Sequence, residues 1–248
     1  MMRKPWAVLF LVVLMSASVC AAGHQFATYY DCTPGRDTAL VITNTSDYDI
    51  ENAYILSVYD SGGALLLQEL GGLAAFESTA LFLGDLLEAR DPGTWGLAVV
   101  ESPLLLVLGS WIGQDGEWIA TVNSSLRIGP AVAEPSPHVW YSINFANTNQ
   151  RSAGISIINP SDEPLDGVLY VYDASGERLG ADDFSLEPRG SSYFLPESVL
   201  PRGDDVWGFV DVRVPEPILL VGEYYDAEDR LFDVDVVDAP YFQERDTE

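Results

Sequence analysis

The chain repeats itself. Ile42-Thr43-Asn44-Thr45-Ser46-Asp47, followed by Val58-Tyr59-Asp60-Ser61-Gly62-Gly63, returns as Ile157-Ile158-Asn159-Pro160-Ser161-Asp162 and Val171-Tyr172-Asp173-Ala174-Ser175-Gly176. Farther on, Trp95-Gly96 is answered by Trp207-Gly208, and Pro103-Leu104-Leu105-Leu106-Val107 by Pro217-Ile218-Leu219-Leu220-Val221, at a spacing of about 112 to 115 residues throughout. A repeat of that length points to an internal duplication and to two copies of one unit, each of a size that can bury its own core.

Within each copy the apolar residues alternate instead of recurring at helical spacing. Leu40 and Ile42 match Ile155 and Ile157 on one face, the period of a half-buried strand. Asn44 and Asn159 end those strands, because Asn, Ser and Asp bond their own backbone and favour turns. The next strands, Ala53 to Tyr59 and Val168 to Tyr172, close on Asp60-Ser61-Gly62-Gly63 and Asp173-Ala174-Ser175-Gly176, which read as hairpin turns with Asp60 and Asp173 in Asx roles. Alternation lapses at Gly84 to Ala89 and at Pro196 to Leu200, where a single helical turn is expected. It is cleanest at Phe232-Asp233-Val234-Asp235-Val236, which predicts Phe and Val inward and both Asp outward. Seven or eight short strands per copy and no long helix make the fold all-β: two tandem antiparallel β-sandwich domains arising from an internal duplication. The expected division is a signal peptide over 1–22, one repeat over 23–123, a Pro-rich link over 124–137, a second repeat over 138–242 and a solvated tail over 243–248.

The leader has the pattern of an export signal: basic Arg3 and Lys4, an apolar run from Trp6 to Met15, then small residues to Ala22. Val19-Cys20-Ala21 suits cleavage near Ala21 or Ala22 better than lipidation of Cys20, so a periplasmic or extracellular address is expected. Cys32 is then the one remaining thiol, which excludes an intrachain disulfide and makes Cys32 a small core residue. No later segment reads as a membrane span. The formal net charge is −26. Such a surface repels nucleic acid and anionic lipid, and accords with a solvated, lysine-poor exterior.

Nothing in the motifs points to catalysis, and no cofactor is expected. The two histidines, His24 and His138, stand at matching places near the starts of the copies and read as structural. No nucleophile elbow, phosphate loop, dinucleotide fingerprint or zinc-protease motif occurs. Asp226, Glu228, Asp229, Asp233 and Asp235 supply the hard oxygens that calcium takes, but without EF-hand spacing, and they read as a solvated acidic edge. Trp95 and Trp207, present in both copies, are expected in the cores. Trp111, Trp118, Trp140 and the pair Tyr224-Tyr225 fall near strand ends, where flat rings can stack on a small-molecule or carbohydrate ligand.

The Asn-x-Ser-Asp turn, the Tyr-Asp-x-x-Gly hairpin, the Leu-rich middle and the Pro-[Leu/Ile]-Leu-Leu-Val strand resemble the sensory rhodopsin transducer superfamily of small β-sandwiches. That resemblance covers most of each copy and implies a prokaryotic small-molecule-binding domain, here exported and in tandem. It carries over no individual binding residue. The expected function is a non-catalytic binding protein for a small molecule, a carbohydrate or a surface partner. The rival is a structural subunit whose domains contact other chains, with oligomers built through sheet edges or Cys32.

Overall fold

A computed structural model describes residues 23–87, 93–103, 105–122, 126–128, 139–148, 151–198 and 205–237. The expected leader, His138, most of the Pro-rich link and the tail lie outside the described residues. The first repeat contains β1 (His24–Asp31), β2 (Arg36–Asn44), β3 (Ile50–Asp60), β4 (Leu65–Leu73), β5 (Ser78–Phe82), a short helix α1 (Leu83–Leu87), β6 (Trp95–Ser102), β7 (Leu106–Gln114) and β8 (Glu117–Val122). The second contains β10 (Val139–Asn147), β11 (Arg151–Ile158), β12 (Leu165–Asp173), β13 (Arg178–Leu186), β14 (Ser191–Phe194), a 3-10 turn at Pro196–Ser198, β15 (Val206–Val214), β16 (Leu219–Asp226) and β17 (Leu231–Val237). Between them, β9 (Leu126–Ile128) pairs with β1, so part of the stretch read as a link is an edge strand of the first repeat.

All pairings are antiparallel and form four sheets. Sheet I has the order β4-β3-β6-β1-β9 and sheet II the order β5-β2-β7-β8; sheet III is β13-β12-β15-β10 and sheet IV is β14-β11-β16-β17. Apart from β9, the second repeat reproduces the first strand for strand, down to a bulge at the same step of the last hairpin, Ile112/Gly113 in one and Tyr224/Tyr225 in the other. Each repeat is therefore a sandwich. One core, with Tyr30, Leu40, Ile42, Leu56 and Val100, fills the space between sheets I and II. Another, with Tyr141, Ile143, Ile155, Ile157 and Val212, fills that between III and IV.

The repeated motifs have local causes. Asn44 Nδ2 donates to the carbonyls of Tyr48 (3.0 Å) and Ala74 (2.9 Å), while its Oδ1 accepts from Ser46 N (2.9 Å). Asn159 does the same with Glu163 (2.7 Å), Glu187 (3.1 Å) and Ser161 N (3.0 Å). Each buried amide thus ties the strand end to its own turn and to the turn that enters the β5 or β14 strand. Asp60 Oδ1 accepts from Ala64 N, and Asp173 Oδ1 from Ser175 N and Glu177 N, the expected Asx roles. The Trp-Gly echo is about its glycine. A Cβ on Gly96 would lie 2.4 Å from the Tyr59 carbonyl oxygen, and one on Gly208 2.0 Å from that of Tyr172, so both allow neighbouring backbones to close up.

Two expectations are corrected. Trp207 is not a core residue but 65% exposed, and Trp95 is half-buried outside the sandwich core. The bulge in the last hairpin leaves Phe232 without a cross-strand partner between Leu231 and Asp233; Phe232 is exposed, and Leu231 and Val234 are buried against the first sandwich and not in the core between sheets III and IV.

Substituting Asn159→Ala should lower unfolding free energy by about 2–3 kcal/mol, because two carbonyls and one amide N–H lose a partner; Asn159→Asp, which cannot donate at neutral pH, should cost at least as much by urea titration. Cys32 is buried, and burial with nearby Asp37 and Asp31 pushes its thiol up to about 12 against a backbone hydrogen bond that lowers it. A chain prepared without residues 1–22, and so without Cys20, should leave an aromatic disulfide reagent unreacted at neutral pH and titrate one thiol only on unfolding.

Candidate functional site

The sandwiches pack on each other through a third apolar cluster. Ala27, Tyr29, Leu97 and Val99 on the outer face of sheet I meet Ile158, Leu219, Val221, Leu231 and Val234 on the outer face of sheet IV, with Ile112 at the margin. Strands β1, β6, β11 and β16 are consequently covered on both faces. The contact is sealed at its loops by Ser191 N donating to Ser61 O (2.8 Å) and Leu231 N donating to Gln114 Oε1 (3.1 Å).

A polar cluster sits inside this apolar contact. Glu223 is 2% exposed. Its Oε1 accepts from Tyr29 OH (2.7 Å) and Ser156 Oγ (3.5 Å), and its Oε2 from Arg36 Nη1 (3.2 Å) and Tyr225 OH. The same Arg36 nitrogen donates to Asp31 Oδ2, and its guanidinium lies 5.3 Å from the Tyr225 ring centroid. Tyr193 OH donates to Tyr225 OH at 3.5 Å, and its ring meets Trp95 edge-on at 6.2 Å. Burial opposes the charge on Arg36, but the Asp31 carboxylate outweighs it and the guanidinium is held charged more firmly than usual. Burial, then Glu223, pushes the Tyr29 and Tyr225 hydroxyls well above their ordinary value. Every oxygen of Glu223 is satisfied, so the cluster reads as an interdomain lock, with no open position for a reactant.

The five aromatic residues singled out from sequence are not one platform. Tyr225 belongs to the lock. Tyr224, one residue earlier and on the opposite face, donates to Asn144 O (2.9 Å); burial, then Asp235 and Asp233, pushes its hydroxyl up to about 12. Trp111 and Trp118 share the open outer face of sheet II, 44% and 46% exposed, with Phe82 6.0 Å from Trp118. Trp140 lies on the open outer face of sheet III, stacked on Tyr170 at 6.0 Å and 26°.

Beside Trp140 is a cleft of about 610 Å3, lined by Asp166, Gly167, Val168, Asp183, Phe184, Ser185 and Arg213, with Val214 and Pro215 at its end. Register builds it: Trp140 pairs with Arg213 on β15, and Arg213 with Val168 on β12, so the three share one face in a row. The Phe184 ring lies over Gly167, where a Cβ would stand 2.3 Å from it. The Arg213 guanidinium is 5.9 Å from the Trp140 ring, and that of Arg178 5.9 Å from Tyr170. Ser185 Oγ donates to Asp166 Oδ1 at 2.6 Å. The cleft therefore offers two carboxylates, a hydroxyl, a guanidinium and a short apolar floor, with the Trp140-Tyr170 stack flanking Arg213 on the same sheet face. Reading the sequence for aromatics found Trp140 and missed Arg213, Phe184 and Asp166; the signal available was an arginine, scarce in so acidic a chain, on a strand rich in apolar residues.

The acidic stretch after β16 is occupied internally. Arg230 Nη2 donates to Asp226 Oδ2 (2.8 Å) and to Glu228, and Asp226 Oδ1 accepts from Glu228 N (2.9 Å) and Arg230 N (3.0 Å). Among the described residues no group of three or more His, Cys, Asp or Glu converges as a metal site, and no helix is long and apolar enough to cross a membrane.

No family model matches the chain, and no curated protein matches it. Among solved structures, an apo lectin from Pleurotus ostreatus is similar at 12% identity and a TM-score of 0.24, over 88% of this chain and 76% of that one. A putative β-galactosidase from Bacteroides fragilis is similar at 12% identity and a TM-score of 0.20, over 87% of this chain; the chain spans only 32% of that enzyme. A β-glucuronidase from Parabacteroides merdae gives 12% identity and a TM-score of 0.19, over 87% and 27%. Likenesses this low carry no argument about function, and these descriptions do not name the sensory rhodopsin transducer superfamily.

The lock makes an alkaline prediction. Unfolded tyrosines lose their protons near 10.0, whereas Tyr29 and Tyr225 keep theirs when folded. The unfolded state then binds fewer protons, so stability is fully present below pH 10 and falls as pH rises through it. Urea unfolding from about pH 8 to about pH 11 should show that fall, with a shallower slope in Tyr29→Phe.

Proposed function

We propose that this chain is an exported, non-catalytic binding protein that takes a small polyhydroxylated ligand, of carbohydrate type, in the cleft of the second sandwich. The observation that carries this reading is the cleft's lining: Asp166, Asp183, Ser185 and Arg213 converge there with Val168, and the Arg213 guanidinium leans on Trp140, which stacks on Tyr170 along the same sheet face. Sugars present C–H faces that pack on rings and hydroxyls that donate to carboxylates or accept from guanidinium, and concave sites with a few convergent polar groups suit them. Asp166 and Asp183 are acceptors for paired hydroxyls; Arg213, backed by Trp140, is the donor. The resemblance to a small-molecule-binding superfamily and the export-like leader support the same reading. Trp140 of the original aromatic set is retained for this role; Tyr224 and Tyr225 are assigned to structure.

A glycan array and a thermal-shift screen of neutral and acidic saccharides, with and without calcium, should find a ligand that raises the melting temperature. Trp140→Ala and Arg213→Ala should each weaken that ligand about tenfold or more, which is about 1.4 kcal/mol, without shifting the melting temperature of the free protein by more than a few degrees. A full screen without a hit, or a hit indifferent to both substitutions, removes the cleft as the site.

A further inference from the structure

The internal contact between the sandwiches uses one face of each kind and leaves the matching faces open. Strand register makes the comparison residue by residue, with Asn44 and Asn159 as the common origin. In the second sandwich Ile158, Leu219, Val221, Glu223 and Leu231 lie under the first sandwich; their register counterparts in the first are Thr43, Val107, Gly109, Trp111 and Trp118. Leu219 is fully buried, whereas Val107 is 56% exposed. The other half of the contact repeats as well. Tyr29, Arg36 and Trp95, which receive sheet IV, correspond to Asn144, Arg151 and Trp207 in the second sandwich, all exposed.

We propose that copies of this chain associate head to tail, the Trp111-Trp118 face of one copy docking on the Asn144-Arg151-Trp207 end of the next, in the manner in which the second sandwich docks on the first. The occupant is a second copy because the molecule already makes a contact of this kind within itself, and because the two open faces are the two that such a contact requires. The chemistry is adapted to the change of residues. Where Arg36 and Tyr29 meet the carboxylate of Glu223, the proposed contact brings Arg151 and Asn144 against the Trp111 indole, a cation–π pair and an N–H donor in place of an ion pair. The row from Phe82 through Ala39 to Trp111, with Val41 and Gly109 beside it, carries no charge, and the one carboxylate at its border, Asp37 opposite Gly113, accepts from the Gly84 and Thr38 amides, so the self-repulsion of this acidic chain is reduced there. A contact between unlike faces does not close on itself, and it extends to open oligomers instead of stopping at a dimer. The cleft beside Trp140 lies at the opposite end of sheet III, level with Glu101 in the first sandwich, which the internal contact does not cover.

Sedimentation velocity of the purified protein should show species larger than a dimer that grow with concentration and with added salt, since screening relieves repulsion without weakening an apolar contact. Trp111→Asp and Trp207→Asp should each lower the association constant on the order of a hundredfold, as loss of a central aromatic anchor does. Mixed one to one, the two variants should form a dimer and nothing larger, because each retains the face that the other has lost; that dimer also shows that both are folded. The proposal is overturned if the wild type stays monomeric at every concentration, if only Trp111→Asp abolishes association, which means pairing of like faces, or if the mixture forms no dimer. Trp140→Ala should leave association unchanged, so failure of the ligand reading and failure of this one are separately visible.

Discussion

A single buried carboxylate governs how the two halves of this molecule meet. Taking Glu223 out of water costs several kcal/mol unless charge and hydrogen bonds replace the hydration, and the groups that do so come from both sandwiches: Tyr29 and Arg36 from the first, Tyr225 and Ser156 from the second. Slippage of one sheet over the other would strand the charge in an apolar contact. The cluster thus specifies orientation more than it adds net stability, while the surrounding Ala27, Leu97, Val99, Leu219 and Val221 supply the favourable burial. Removing Arg36 alone would leave Asp31 and Glu223 facing each other with no cation between them, which is why the lock has to be treated as one unit.

That docking makes the two repeats unequal in spite of their common topology. Sheets I and IV are interior layers; sheets II and III are exterior. The same register position is therefore a buried glutamate in one repeat and an exposed tryptophan in the other, and the divergence at these positions follows which face is covered. Aromatic residues gather on the two exterior sheets, Trp140 and Tyr170 on sheet III and Phe82, Trp111 and Trp118 on sheet II.

The strands, turns and helical lapses were readable because alternation, Asn-x-Ser turns and Asp-x-x-Gly hairpins act over a few residues. Asn44 and Asn159 illustrate this: a polar residue at a strand end, echoed in both copies, turned out to be a buried amide with its donors and acceptor satisfied. The Trp-Gly echo reflects Gly96 and Gly208, whose lack of a side chain both copies share for a steric reason, and not a common place for Trp95 and Trp207. β1 lacked a periodic signal, since Phe26, Ala27, Thr28, Tyr29 and Tyr30 are buried on both faces. Of the proposed site only Trp140 was visible, because Arg213 and Val168 join it through pairings between strands distant in sequence.

The amino-acid sequence by itself determined that this chain forms two antiparallel sandwiches of one topology, because local alternation and turn chemistry need no knowledge of the partner sheet. Only the tertiary structure decided which faces are inside. A strand's two faces are distinguished by what packs on them, and here that is the other repeat: the contact that buries Glu223 also leaves Trp111, Trp118 and Trp207 in water.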